Sequence, residues 1–213
     1  GMGGRSTGDS DVSLIYTDDE YESYSNIFDN AKTDVSQADQ ERLIASLKQL
    51  SQGTDLEEIL DTDAVLRYFV VHNFVCNFDS YTGSMVHNYY LYEEDGVLSM
   101  IPWDYNLAFG GFQGNDAESA VNDPIDDVLS DRPMQAWIFS DEAYTAEYHA
   151  LFAEFLETVD WGAIIDEAYT LIAPYVEKDP TKFCTAEEFE TGAAALRTFC
   201  QLRSEAVAAQ LAG

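Results

Sequence analysis

Asn77-Phe78-Asp79-Ser80, His87-Asn88-Tyr89-Tyr90-Leu91-Tyr92, Pro102-Trp103-Asp104-Tyr105-Asn106 and Phe109-Gly110-Gly111 follow one another in the stretch from Asn77 to Gly111. Asn88 stands at the mouth of a strand pattern, and Glu94-Asp95-Gly96 is a hairpin turn signal. The return strand, Val97 to Ile101, meets Pro102, which cannot donate to a ladder. Chain geometry therefore delivers Asp104 to a strand end. Phosphoryl transfer asks for parts in this order. One carboxylate orients or deprotonates the attacking hydroxyl, and an Asn and a second carboxylate hold the Mg²⁺ that bridges nucleotide phosphates. Asp79 is the candidate catalytic carboxylate, and Asn88 and Asp104 are the candidate metal and nucleotide-phosphate ligands. Asn106 is a further metal ligand acting through water.

Outward from this stretch the pattern is helical. A polar leader occupies residues 1–12, where Gly1 ahead of Met2 reads as the remnant of a cleaved tag. Val12 to Tyr16 is strand-like, followed by an acidic loop carrying Tyr21, Tyr24 and Phe28. Leu43, Ile44, Leu47 and Leu50 predict a helix from about Asp39 that Gly53 stops. Thr54 with Glu57 is a capping-box signal for a short helix. A longer helix runs from Asp61 to about Asn77 on a stripe of Leu66, Phe69, Val70 and Phe74. Gly110 to Val121 reads as an exposed loop, and helices are predicted over about 133–139, 141–158, 160–177 and 185–211, the last from a Thr185/Glu188 box. The predicted class is α+β, mainly α: one domain over 13–213 with a small hairpin that carries the motif.

Charge narrows the partners. Forty acidic residues against ten basic ones give a net charge of -30 in a 213-residue chain. Nucleic acid and anionic membrane surfaces would repel it, and a basic, Lys/Arg-rich protein is the complementary partner; the plainer reading is solubility. Any ATP bound here needs Mg²⁺, or Mn²⁺ in its place, because only Arg67 lies a few helical turns upstream of the motif. Cys76, Cys184 and Cys200 lack zinc spacing and read as buried small hydrophobes, with a Cys184–Cys200 disulfide as the alternative. No apolar run is long enough for a membrane span.

The same residues resemble the CotH family, the spore coat protein H type of atypical protein kinase. The resemblance extends to Ser13-Leu14-Ile15-Tyr16 with Asp18-Asp19, Tyr24-Ser25-Asn26-Ile27-Phe28, Leu56-Glu57 before Asp61, Asp131-Arg132-Pro133, Asp179-Pro180 and Arg203 to Leu211. It implies an atypical kinase C-terminal lobe, with the N-terminal lobe and its phosphate-gripping Lys outside this chain. It also implies ATP and Mg²⁺ as cofactors, Ser or Thr phosphorylation of secreted, spore-coat or cell-surface proteins, and base work for Asp79. Some members carry Asp where Asn106 stands.

Plainer readings accompany each residue. Asp79 would cap the turn after the long helix, Asn88 would bond strand-edge backbone, and Asp104 would be a structural acid. His87 reads as a positioning or packing residue, and Tyr89, Tyr90, Tyr92 and Phe109 as core and wall. Two other classes compete. One is a non-catalytic scaffold of a spore coat or envelope, separable by divalent-cation and nucleotide binding. The other is a glycosidase using Asp79 and Asp104 as paired carboxylates.

Overall fold

A computed structural model of the chain describes residues 10–111 and 117–213. It is mainly helical, in the order α1 (Ser25–Phe28), α2 (Gln37–Gln52), α3 (Thr62–Phe74), β1 (Tyr89–Glu94), β2 (Val97–Pro102), α4 (Ala117–Val121), α5 (Pro133–Ala136), α6 (Glu142–Thr158), α7 (Trp161–Lys178) and α8 (Ala186–Ala212). β1 and β2 form an antiparallel two-stranded sheet in which Tyr89 faces Pro102 and Glu94 faces Val97. Asp95 and Gly96 both have positive φ, 53° and 90°, as the two-residue turn of a right-twisted hairpin requires.

Local chemistry sets the helix ends. Ser36 and Asp39 form a reciprocal capping box at the start of α2, and Gly53, at φ 67°, closes it by donating to the carbonyls of Gln49 and Leu50. Asp61, Asp141 and Asp160 each accept a backbone N–H at the first turn of α3, α6 and α7. Thr185 and Glu188 box the start of α8.

α3 is the axis of the core. Val65, Leu66, Phe69, Val70 and Phe74 are all buried, so this helix is enclosed on most of its circumference. It packs against α6 and β2, while α7 and α4 lie on α8. Phe74 stacks on Trp161 with centroids 5.3 Å apart, tying the end of α3 to the start of α7. A parallel bridge between Leu60 and Leu98 joins the hairpin to the residues leading into α3.

Several expectations need correction. Val12 to Tyr16 is no strand. Asp11 accepts from the backbone N–H of Val12 and of Asn26, and Leu14 takes a left-handed φ of 63°, which curls the segment into a turn. Tyr21 to Phe28 coils into a 3-10 turn and α1 instead of a loop. The Thr54/Glu57 box does not form, because Asp55 adopts a left-handed conformation and the short Leu56–Glu58 turn has no side-chain cap. The helix after Asp61 stops at Phe74, short of Asn77. The expected loop from Gly110 to Val121 carries α4, whose Ala120 and Val121 are buried; its stretch 112–116 lies outside the described residues. All three cysteines are free, with Cys76 and Cys200 buried, so no Cys184–Cys200 bridge exists. Among the described residues no helix is long and apolar enough to cross a membrane.

Arg203 on α8 is fully buried, and its hydrogen bonds all go to backbone carbonyls. Nε reaches Phe74 at 3.2 Å, Nη2 reaches Asn73 at 2.8 Å, and Nη1 reaches Val121 at 2.9 Å and Asp123 at 2.6 Å. A cation thus meets the negative end of the α3 dipole and satisfies carbonyls the helix leaves unpaired. Arg203→Leu strands those carbonyls, and we expect it to cost about 3–5 kcal/mol. A urea denaturation midpoint within error of the parent would overturn this assignment.

Candidate active site at the mouth of the hairpin

Between α3 and β1 the chain has no regular structure, yet Cys76, Asn77, Asp79, Ser80, Tyr81 and Val86 are buried. A buried loop must find partners for its own backbone. Arg132, also fully buried, supplies them: Nε donates to the Tyr81 carbonyl at 2.6 Å and Nη2 to that of Gly83 at 2.8 Å. The Tyr81 hydroxyl donates to the Ser13 carbonyl and accepts from the Met134 N–H. Gly83 passes so close to the chain that a Cβ there would lie 2.1 Å from the Phe78 carbonyl oxygen.

This loop presents Asp79. One carboxylate oxygen, Oδ1, is 2.6 Å from His87 Nε2, and the other, Oδ2, accepts from Asn88 Nδ2 at 3.3 Å. The same Nδ2 donates to the Asp79 carbonyl at 2.9 Å. Asp79 is only 7% exposed. The structure therefore brings Asp79 and Asn88 into direct contact, with His87, read from the sequence as a positioning or packing residue, as a third partner.

Asp104 reaches the same end of the hairpin by register. Tyr89, next to Asn88, pairs with Pro102, two residues before Asp104. Asp104 and Asn106 are exposed, and neither makes a hydrogen bond or ion pair among the described residues. Asp104 (φ 53°), Asn88 (φ 54°) and Val86 (φ 51°) are all left-handed, a concentration of backbone strain of the kind functional sites store. With Nδ2 spent on Asp79, the Oδ1 of Asn88 remains an acceptor. A carboxylate and an amide oxygen open to water form the sparse, hard donor set that Mg²⁺ takes when substrate phosphates supply the rest. No cluster of three His, Cys, Asp or Glu among the described residues forms a closed cage.

Beneath the site lies His72 of α3, 1% exposed. Its Nε2 is 2.6 Å from Thr82 Oγ1 and 3.3 Å from Ser80 Oγ, and its Nδ1 is 3.2 Å from the Tyr105 hydroxyl. One ring thus ties the Asp79 loop to the residue after Asp104. Burial pushes its pKa down from 6.5 to about 3, so it is a neutral strut. The sequence marked it only as a His three residues beyond Phe69 on the apolar stripe.

Beside the site a groove of about 840 Å³ is lined by His87, Asn88, Tyr90, Trp103, Lys32 and Arg42 among others. Tyr90 meets Trp103 edge to face at 5.4 Å, so these rings do build a wall. Arg42 is paired with Asp39 and Glu93, whereas Lys32 sits over the Tyr90 ring with no ion pair among the described residues. Arg67, the basic residue upstream of the motif in sequence, is paired with Asp63 on the surface of α3.

A family model described as CotH kinase protein matches residues 5–207. Inner spore coat protein H of Bacillus subtilis (strain 168) is 27% identical over 143 residues, covering 64% of this chain and 38% of that protein. The match therefore spans well under half of that relative's length.

His72 generates a pH dependence whose sign is set by its lowered value. Below about pH 6.5 the unfolded chain takes up a proton that the folded chain refuses until about pH 3. Stability therefore falls as pH drops through that window, by up to about 1.4 kcal/mol per unit from this group. His72→Gln, which keeps hydrogen bonding and cannot titrate there, is expected to flatten that limb in a plot of urea midpoint against pH. An unchanged slope would show that His72 is not excluded from protonation.

Proposed function

This chain belongs to the CotH kinase family, and we propose that it is the catalytic lobe of a Mg²⁺-dependent phosphotransferase. It would move the γ-phosphate of ATP to Ser or Thr hydroxyls of a spore-coat or cell-surface protein. The reading rests chiefly on one observation: a buried Asp79 is held through both oxygens at the hairpin mouth to which the register also delivers Asp104. Asp79 serves the acceptor hydroxyl. Asn88 and Asp104 are the residues to hold Mg²⁺, with Asn106 acting through water. When bound, the ion neutralises charge on the transferring phosphoryl group. The chain's own contribution is to position the groups and keep them rigid, which is most of what phosphoryl transfer requires.

The surroundings suit that task. Lys32 offers a spare ammonium in the groove beside Asn88, and the Tyr90 and Trp103 rings give it apolar walls. We assign the Lys that kinases carry on an N-terminal-lobe strand to chain preceding this lobe. The net charge of -30 favours basic protein substrates. The name of the spore-coat relative motivates the choice of a coat protein as target. That name also favours a second reading, a coat scaffold that keeps the geometry without turnover.

The test is γ-phosphate transfer from ATP, with Mg²⁺ or Mn²⁺, to a basic Ser-rich peptide by the native full-length protein. Asp104→Ala is expected to lower kcat/KM by roughly 10²–10³-fold or more while the denaturation midpoint holds. Retained turnover removes the metal role from Asp104. A wild-type protein that neither transfers phosphate nor binds nucleotide by calorimetry belongs to the scaffold reading.

A further inference from the structure

We propose that the outer face of α7 is a docking surface for an amphipathic helix of another protein, one edged with Lys or Arg. The proposal is independent of the phosphotransferase reading, since no candidate-site residue lies on α7. This helix has 18 residues, Trp161–Lys178, and only Ile165 among them is buried. Trp161 anchors its start by stacking on Phe74, and the remainder lies on α8. Tyr169 belongs to that inner side, stacked on Phe189 of α8 and covered by Arg197.

The other side is apolar as well. Ile164, Ala168, Leu171 and Tyr175 recur at spacings of four, three and four, which sets them in one row along the helix. All four are exposed, Leu171 by 67% and Tyr175 by 71%, and so is Ile172 beside the row. Phe183, in the turn between α7 and α8, is fully exposed. Scattered apolar side chains on a surface need no explanation, but an aligned row of them does. A narrow stripe with alternating spacings of four and three is the seam that one helix offers to another, whose side chains insert between those at the a and d positions. Ala168, the smallest residue of the row, leaves room for a large side chain of the partner. Pro174 stands to one side of the row and does not interrupt it.

The edges of the seam say what covers it. With Ile164 and Leu171 at d and Ala168 and Tyr175 at a, the flanking g positions are Asp160, Glu167 and Pro174, and the flanking e positions are Ile165 and Ile172. One edge is acidic, the other is isoleucine, and neither carries a base. Glu167 has no ion pair among the described residues, whereas its neighbour Asp166 is held by Arg197 of α8. Charges at e and g decide which helices pair. A second copy would bring no base to Glu167 and would set two chains of net charge -30 against each other. An anionic lipid surface is repelled for the same reason. The complement is a helix with its own apolar seam and with Lys or Arg along the edge that meets Asp160 and Glu167.

The experiment uses the native full-length protein and a synthetic helical peptide of about three heptads, with Leu at a and d and Lys at e and g. Binding is followed by calorimetry at physiological salt. Leu171→Asp is expected to weaken binding roughly tenfold or more, with the denaturation midpoint unchanged because Leu171 is exposed. This substitution makes the chain more acidic, so unspecific attraction to the lysines would tighten binding instead. Glu167→Lys should weaken binding about two- to fivefold more than Glu22→Lys, which changes the net charge equally at an exposed position outside α7. Equal or tighter binding by Leu171→Asp overturns the proposal and leaves bulk charge as the cause. A Glu167→Lys loss no larger than that of Glu22→Lys overturns the assignment of a basic edge to the partner. A wild-type dimer in analytical ultracentrifugation that Leu171→Asp dissociates overturns the proposal in favour of a second copy. Absence of peptide binding by the wild type overturns it too, the face then being bare or covered by other parts of the native chain. None of these results bears on phosphate transfer.

Discussion

Two guanidinium groups without solvent access hold this fold together, and both satisfy backbone carbonyls, Arg132 alongside its ion pair with Asp131. Arg132 grips the loop that carries Asp79, and Arg203 closes the end of the helix from which that loop departs. Burying a charge is costly unless its donors are met. Here Arg203 is met mainly by the carbonyl ends of α3 and α4, and Arg132 by loop carbonyls and the Asp131 carboxylate. The two deficits cancel, and neither the loop nor the arginines have a good alternative.

That arrangement gives the site its rigidity without regular structure. Asp79, Asn88 and Asp104 sit on turns, where side chains can be aimed at angles a helix or strand does not offer. The cost is strain: Cys76, Val86, Asn88, Asp104 and Phe109 all lie at positive φ. His72 fastens the two halves of the site from below, and the edge-to-face contact of Tyr90 with Trp103 fastens the hairpin wall above. Close packing leaves the Asp79 loop little room: at Gly83 even a Cβ would come 2.1 Å from the Phe78 carbonyl oxygen.

Much of this was legible in the residues, for reasons that differ by element. Asp61, Asp141, Asp160 and Thr185 announce helix starts because capping is a local reaction between one side chain and the next turn. The hairpin was legible because Asp95-Gly96 tolerates the turn that the register needs. The proximity of Asp79 to Asn88 followed from the motif, and the ring between them did not, since His87 looks the same in sequence whether it packs or points at a carboxylate. Val12 to Tyr16 misled because its alternation resembles a strand while Asp11 binds it into a turn. Arg132 and Arg203 were invisible in role. A partner made of main-chain carbonyls leaves no side-chain signature, so a buried arginine reads like a surface one. Lys32 was missed for a related reason: it is far from the motif in sequence and near it only once the hairpin and the residues after α1 have packed.

The bond from Arg203 to Asn73 spans 130 residues. Its consequence concerns the order of events during synthesis. α3 and the Asp79 loop leave the ribosome before the group that completes them, which follows Asn73 by 130 residues. Loop-closure entropy delays such a long-range contact, and until it forms the end of α3 has unpaired carbonyls and the loop lacks its floor. The nascent chain therefore carries the residues of the candidate site well before it can hold them in place.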